Sequence, residues 1–184
     1  MPNDLPLPGR VKPTWREAAR WELGRQEDWF FQAKRYQDEE DRPGTLVCPR
    51  CHAISEIKRW YLDEERYLEL RKRPDVQLVT CPGCLRIERQ QYEGEVLLHS
   101  PLLQSNRDQA LHLIYHTEDE ARRDNPFARL AAVEADGEEI RVLTTTRWLA
   151  ERIGKEFRKA FRGDLQIQRL PREKFARVRW SRAA

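Results

Sequence analysis

The chain has 184 residues, enough for one ordinary domain and a smaller module. Its residues are 39% hydrophobic and 35% charged, so the core must be modest, and no apolar run approaches the roughly 18–20 residues that cross a bilayer. The net charge of +3 hides an asymmetry: residues 141–184 carry 13 Lys and Arg against 4 Asp and Glu, and the other 140 residues carry 21 against 27.

Residues 1–43 open with Pro2, Pro6, Pro8 and Pro13, which predicts an extended start. No basic patch followed by an apolar run precedes them, so no signal peptide is expected and the protein reads as soluble and cytoplasmic. A helix is predicted from Thr14 to about Lys34, with the aromatic group Trp29-Phe30-Phe31 near its end, and an acidic linker then leads to Gly44.

Thr45-Leu46-Val47 predicts a short strand entering the turn Cys48-Pro-Arg-Cys51, with Ala53, Ile54 and Ile57 on the returning strand. A short helix is expected between Trp60 and Arg73, ended by Pro74. Val76 to Thr80 predicts a strand into Cys81-Pro-Gly-Cys84, and the stretch from Ile87 to Leu98 reads as a strand or hairpin turning at Glu93-Gly94. These turn signals bound a module at 44–98.

Beyond Ser100-Pro101 a second domain, 100–182, is expected. Ser105 and Asp108 resemble a capping box for a helix running to about Arg123, with Ala110, Leu111, Ile114 and Tyr115 buried. Alternation then predicts a hairpin about Asp136-Gly137. Thr144-Thr145-Thr146 caps a helix from Arg147 to about Phe161, with Leu149, Ile153, Phe157 and Ala160 as its core stripe and Gly163 as its stop. Strands about Leu165–Ile167 and Phe175–Trp180 flank a turn at Pro171 to Lys174. The fold class is therefore α+β: a four-cysteine zinc ribbon followed by an α-β-β-α-β-β domain with a mostly antiparallel sheet.

Cys48, Cys51, Cys81 and Cys84 are all the cysteines of the chain, in two Cys-x-x-Cys pairs. Two such pairs supply the four thiolates of a tetrahedral Zn²⁺ site, and the 29 residues between Cys51 and Cys81 are an enlarged middle segment. Zinc would add folding free energy to a chain with a small core. Paired disulfides fit a reducing compartment poorly. A thiol-based redox centre needs one pair opening a helix, whereas the residues after Cys84 read as strand. Four sulfurs also leave no open position for a catalytic water.

The basic last quarter points to a polyanion, most simply RNA. On the helix, Arg147, Arg152, Lys155, Arg158, Lys159 and Arg162 lie off the apolar stripe, and on the last strand Arg177 and Arg179 alternate with the inward residues. The competing reading is solvation of ordinary surface, and a single patch across helix and strand is an assumption. Arg50, Lys58, Arg59, Arg86 and Arg89 flank the cysteines, as side chains of RNA-binding zinc knuckles do. His112 and His116 share a helix face without the Glu of a metalloprotease motif, and His52 follows Cys51 where four thiolates already suffice. No Gly-rich phosphate loop, nucleophile elbow or framed carboxylate pair appears, so no enzyme activity is expected.

The cysteine pairs, Leu85-Arg86-Ile87, Asp136-Gly137 and the run Leu143-Thr144-Thr145-Thr146, Leu149-Ala150 and Ile153-Gly154 resemble small bacterial proteins related to the archaeal and eukaryotic adapter that exports large ribosomal subunits. The resemblance spans about residues 45–180. It implies zinc on Cys48, Cys51, Cys81 and Cys84, and a factor associated with RNA of the large ribosomal subunit rather than a transport role. Two other functions remain open: a protein-interaction adapter with purely structural zinc, working through Trp29-Phe30-Phe31 and the acidic body, and a thiol-based redox sensor.

Overall fold

A computed structural model of the chain describes residues 44–56, 59–170, 172 and 174–183. The expected amino-terminal helix and Trp29-Phe30-Phe31 lie outside the described residues, as do Ile57 and Lys58. The fold is α+β, with two sheets that are mostly antiparallel. Among the described residues no helix is long and apolar enough to cross a membrane.

The first sheet is small. Strands β1 (Leu46–Val47) and β2 (Ala53–Glu56) form a hairpin around the first cysteine pair. Strand β3 (Arg59–Leu62) adds to β2, and β4 (Gln77–Leu78) pairs in parallel with β1, giving the order β3-β2-β1-β4. Helix α1 (Glu64–Leu70) is shorter than the helix expected from Trp60, because Trp60 to Leu62 are taken up by pairing with β2. Asp63 starts α1 by accepting a hydrogen bond from the Arg66 amide. Tyr67 and Leu70 of α1 pack on Val47 and Ile54.

After Cys84 the chain is helical, not extended. Helix α2 (Pro82–Glu88) begins at the second cysteine pair itself, with Cys81 as its cap and Pro82 in its first turn. Proline is favoured there because the first helical amides have no intrahelical partner to lose. The apolar residues Leu85 and Ile87 that suggested a strand lie on this helix. Glu93-Gly94 is not a turn either, since β5 (Gly94–His99) starts there.

Strand β5 is placed with the ribbon by the sequence reading, yet it is the centre of the second sheet. Its order is β6-β7-β5-β9-β8, where β6 is Leu130–Asp136, β7 Glu139–Thr144, β8 Asp164–Leu170 and β9 Phe175–Ser181. Only β5 and β9 run parallel. Helix α3 (Leu102–Ser105), α4 (Arg107–Asp124) and α5 (Arg147–Phe161) follow, and from β5 onward the elements run β5-α3-α4-β6-β7-α5-β8-β9. The capping box does not form, because Asn106 stands at the cap of α4 without a side-chain capping bond. Tyr115 is exposed, and Thr117 and Ala121 are the buried residues in the second half of α4.

Helices α4 and α5 share one core with one face of the sheet. Val96 and Leu98, Ile140 and Val142, and Val178 and Trp180 meet Ala110, Ile114, Leu149, Ile153 and Phe157 there. Ala160 is exposed, and Ala150 takes its place in the stripe with Gly154. Helix α5 ends at Arg162 (φ 61°) followed by Gly163 (φ 87°), and the Trp180 indole N–H donates to the Arg162 carbonyl at 2.6 Å. Phe157, Phe161 and Trp180 form an edge-to-face aromatic group behind that bond.

Candidate functional site

Each cysteine pair is presented by a different local device. In the β1–β2 hairpin the Cys48 amide donates to Ala53 and the His52 amide to Cys48, a tight turn that His52 completes at φ 63°. The second pair opens α2, where the Cys84 amide points at the Cys81 sulfur at 3.5 Å. Parallel pairing of β1 with β4 brings the turns together, and the Cys81 amide donates to the Cys48 sulfur at 3.4 Å.

The four sulfurs all lie within 4.8 Å of one another, and all four residues are buried. A tetrahedral ion with metal–sulfur bonds of about 2.3 Å requires sulfurs about 3.8 Å apart, so the donor set fits such an ion. Sulfurs this crowded cannot ionise independently. Hydrogen bonds from the Cys51, Cys81 and Cys84 thiols hold the Cys48 thiol far below its usual value. Cys81 and Cys84 are pushed up, first by their hydrogen bonds to Cys48. Only a cation among them lets all four ionise together. The pair at the start of α2 has the placement a redox pair would have, but a reactive thiolate must be accessible. Cys81 is fully buried and Cys84 is 6% exposed. Among the described residues no second group of metal-ligating side chains forms, and His112 and His116 are an exposed stacked pair.

The sulfur cluster is set against the second sheet. Arg129, just before β6, reaches Cys84 with its Nη1 atom 3.9 Å from the sulfur. Its Nε donates to Glu118 of α4 at 3.3 Å. Gly83 sits so close to the Phe127 backbone that an added Cβ would lie 3.0 Å from the Phe127 Cα. Trp60 and Phe127 pack across the same junction. Arg86 ties α2 to the Thr145 carbonyl and pairs with Glu93 at 3.1 Å. Burial raises the Glu93 carboxyl above its usual range, opposed by Arg86, Arg147 and Lys174. Nothing local in the sequence marks Arg129 or Glu118, because they lie 45 and 34 positions from Cys84 and only the fold brings them there.

The basic residues divide. Arg152 is engaged by Glu120 at 2.8 Å, Lys155 faces the Glu151 carboxylate at 3.8 Å, and Lys159 faces Glu156 at 3.6 Å. Arg147 lies over its neighbour Trp148, whose ring is 62% exposed. Arg158 and Arg162 are exposed and have no carboxylate partner among the described residues. Lys155, Arg158, Lys159 and Arg162 line an open recess of about 540 Å³ at the carboxyl end of α5, with Glu156 as its one acid. Arg177 and Arg179 project from the sheet face opposite to α5: Arg177 is half-buried beside Glu95 at 3.8 Å, and Arg179 is exposed. Helix and strand cations therefore belong to two surfaces. The recess lies on the second half of α5, from Lys155 to Gly163, whereas the helix that carries the second cysteine pair meets the Thr145 carbonyl, just before α5 starts, through Arg86. Of the basic residues around the cysteines, Arg50 is paired with Glu88 at 2.8 Å and Arg59 is exposed.

Comparison with known proteins finds no protein-family model, no curated protein and no solved structure that matches the chain.

Proposed function

We propose that the protein is a non-enzymatic zinc protein that binds RNA, and that its RNA is that of the large ribosomal subunit. Four thiolates and no oxygen donor favour zinc among the common divalent ions, and they would leave no coordination position for water. Zinc then builds the module and does no chemistry. The observation that carries the RNA reading is the recess at the end of α5, where Arg158 and Arg162, without a carboxylate partner among the described residues, stand beside Lys155 and Lys159. Guanidinium groups there suit bidentate phosphate contacts. Arg179 and the half-neutralised Arg177 offer a second line of contacts on the other face of the sheet. The ribosomal assignment rests on the resemblance of the cysteine pairs and the threonine-led helix to the export-adapter relatives.

Co-sedimentation with ribosomal subunits across a salt series tests this. Association of the wild-type chain is expected to fall steeply with salt. Joint Arg158→Glu, Lys159→Glu and Arg162→Glu changes are expected to remove most of it and to flatten the logarithmic salt slope by about 2–3. A triple variant that sediments with subunits like the wild type would overturn the assignment to this surface. Association that does not change with salt would overturn phosphate recognition altogether.

A further inference from the structure

We infer that Arg129 is a positioning residue of the metal centre: held by Glu118, its guanidinium donates to the Cys84 sulfur, orienting that ligand and stabilising its lone pairs. The inference rests on the reading that the four cysteines hold zinc. Three of the sulfurs have a donor other than a thiol, two of them a backbone amide and the third a side chain. Cys48 accepts from the Cys81 amide and Cys81 from the Cys84 amide, both backbone groups within the module. Among the described residues Cys84 alone accepts from a side chain outside the cysteines, and from one that stands just before β6 of the second sheet. Cys51 has no such donor among the described residues, and it is the most exposed of the four at 9%.

Arg129 is built in rather than draped over the cluster. Its side chain is 19% exposed and that of Glu118 14%. Its amide donates to the Thr145 hydroxyl at 2.8 Å, and its carbonyl accepts from the Thr145 amide at 3.0 Å, so the turn before α5 fixes its backbone. Glu118 also accepts from the Leu130 amide at 2.8 Å, which fixes the carboxylate in turn. A dication with four thiolates carries a net charge of −2, and a buried carboxylate nearby would add to the repulsion unless a cation stood between. Arg129 stands there. Groups behind the ligands of a metal site commonly change metal affinity by about 10–100-fold when removed.

The contrast between Arg129→Gln and Glu118→Gln, made in the full chain, separates this role from simple packing. Both changes break the same ion pair, but only the first removes the cation from the sulfur. The readouts are the rate of metal loss to excess EDTA and the sulfur-to-metal charge-transfer band of the Co²⁺-loaded protein. Arg129→Gln is expected to lose metal about tenfold faster and to move the band to lower energy, because the sulfur lone pairs are no longer stabilised. Glu118→Gln is expected to lose metal no faster than the wild type, with the band unmoved or at higher energy. Arg129→Lys, which keeps the charge, is expected to fall between wild type and Arg129→Gln. If Arg129→Gln does not fold, Arg129→Lys against Glu118→Gln reads the same contrast. Equal acceleration in the two glutamine variants, or a band that neither arginine variant moves, would overturn the inference. A wild-type chain that takes up neither Zn²⁺ nor Co²⁺ would instead overturn the zinc reading beneath it.

Discussion

Among the described residues Glu151 is the most buried charge of the second domain, 2% exposed on the sheet side of α5, and its two oxygens receive Arg169 of β8 in a bidentate pair at 2.7 Å. Arg169 hydrogen bonds, with Lys155 as a further positive neighbour, hold the Glu151 carboxyl below its usual value. A carboxylate whose folded value is depressed adds stability above its unfolded value, about 4.3, and loses it as the pH falls through the folded one. Glu151→Gln is therefore expected to lower the thermal midpoint at pH 7, and the difference from wild type should shrink below about pH 4. Midpoints measured from pH 3 to 8 check this; a gap that stays constant across that range would contradict it. The same residue explains why Lys155, expected from the sequence to face phosphate, is partly committed to its own helix. Cys48, Cys51, Cys81 and Cys84 were legible because their chemistry is written in a four-residue spacing. Glu151 and Arg129 were not, since a buried charge is recognised only by its partner, and the partner comes from another element.

Helix α5 was legible from Arg147 to about Phe161, after a cap among Thr144-Thr145-Thr146, because cap, apolar stripe and glycine stop all fall within one stretch of chain. Gly154 lies within it, and the sheet shows why a glycine stands there. A Cβ at Gly154 would collide with Val178 Cγ1 and lie 2.9 Å from Leu165 Cδ1, so the helix rests directly on β8 and β9. Gly154→Ala is expected to destabilise the domain even though alanine is the better helix former. Overpacking costs about 1–3 kcal/mol, against a gain of about 1 kcal/mol in helix propensity. Denaturant titration decides the sign; a variant more stable than wild type would show that helix and sheet move apart freely. Helix α2 is the opposite case. Its seven residues are too few for a periodic pattern, and what makes it a helix is a thiol acting as the cap together with a proline in the first turn, neither of which a hydrophobicity pattern reveals.

At the scale of the whole molecule, the alternation of the hairpin strands revealed their pairing but not the strand between them and β9. Strand β5 precedes α3, α4 and α5 in sequence, so adjacency along the chain placed it with the cysteines, whereas its pairing partners begin 45 and 81 residues after it does. That long-range pairing joins the cysteine module to the second sheet in one compact unit, Asp38–Ala184. It also turns Arg177 and Arg179 away from α5, which divides what the sequence presented as one basic block into two surfaces. The joining makes a metal ion at the four sulfurs a structural matter for both parts, through Arg129, Arg86 and the packing of Gly83 on Phe127. The most direct measurement is metal content of the purified chain, taken with its thermal unfolding before and after chelation. One zinc per chain is expected, with a transition that shifts to lower temperature on chelation and returns when zinc is restored. A chain purified without metal, whose transition neither chelator nor added zinc moves, would contradict a metal-built fold.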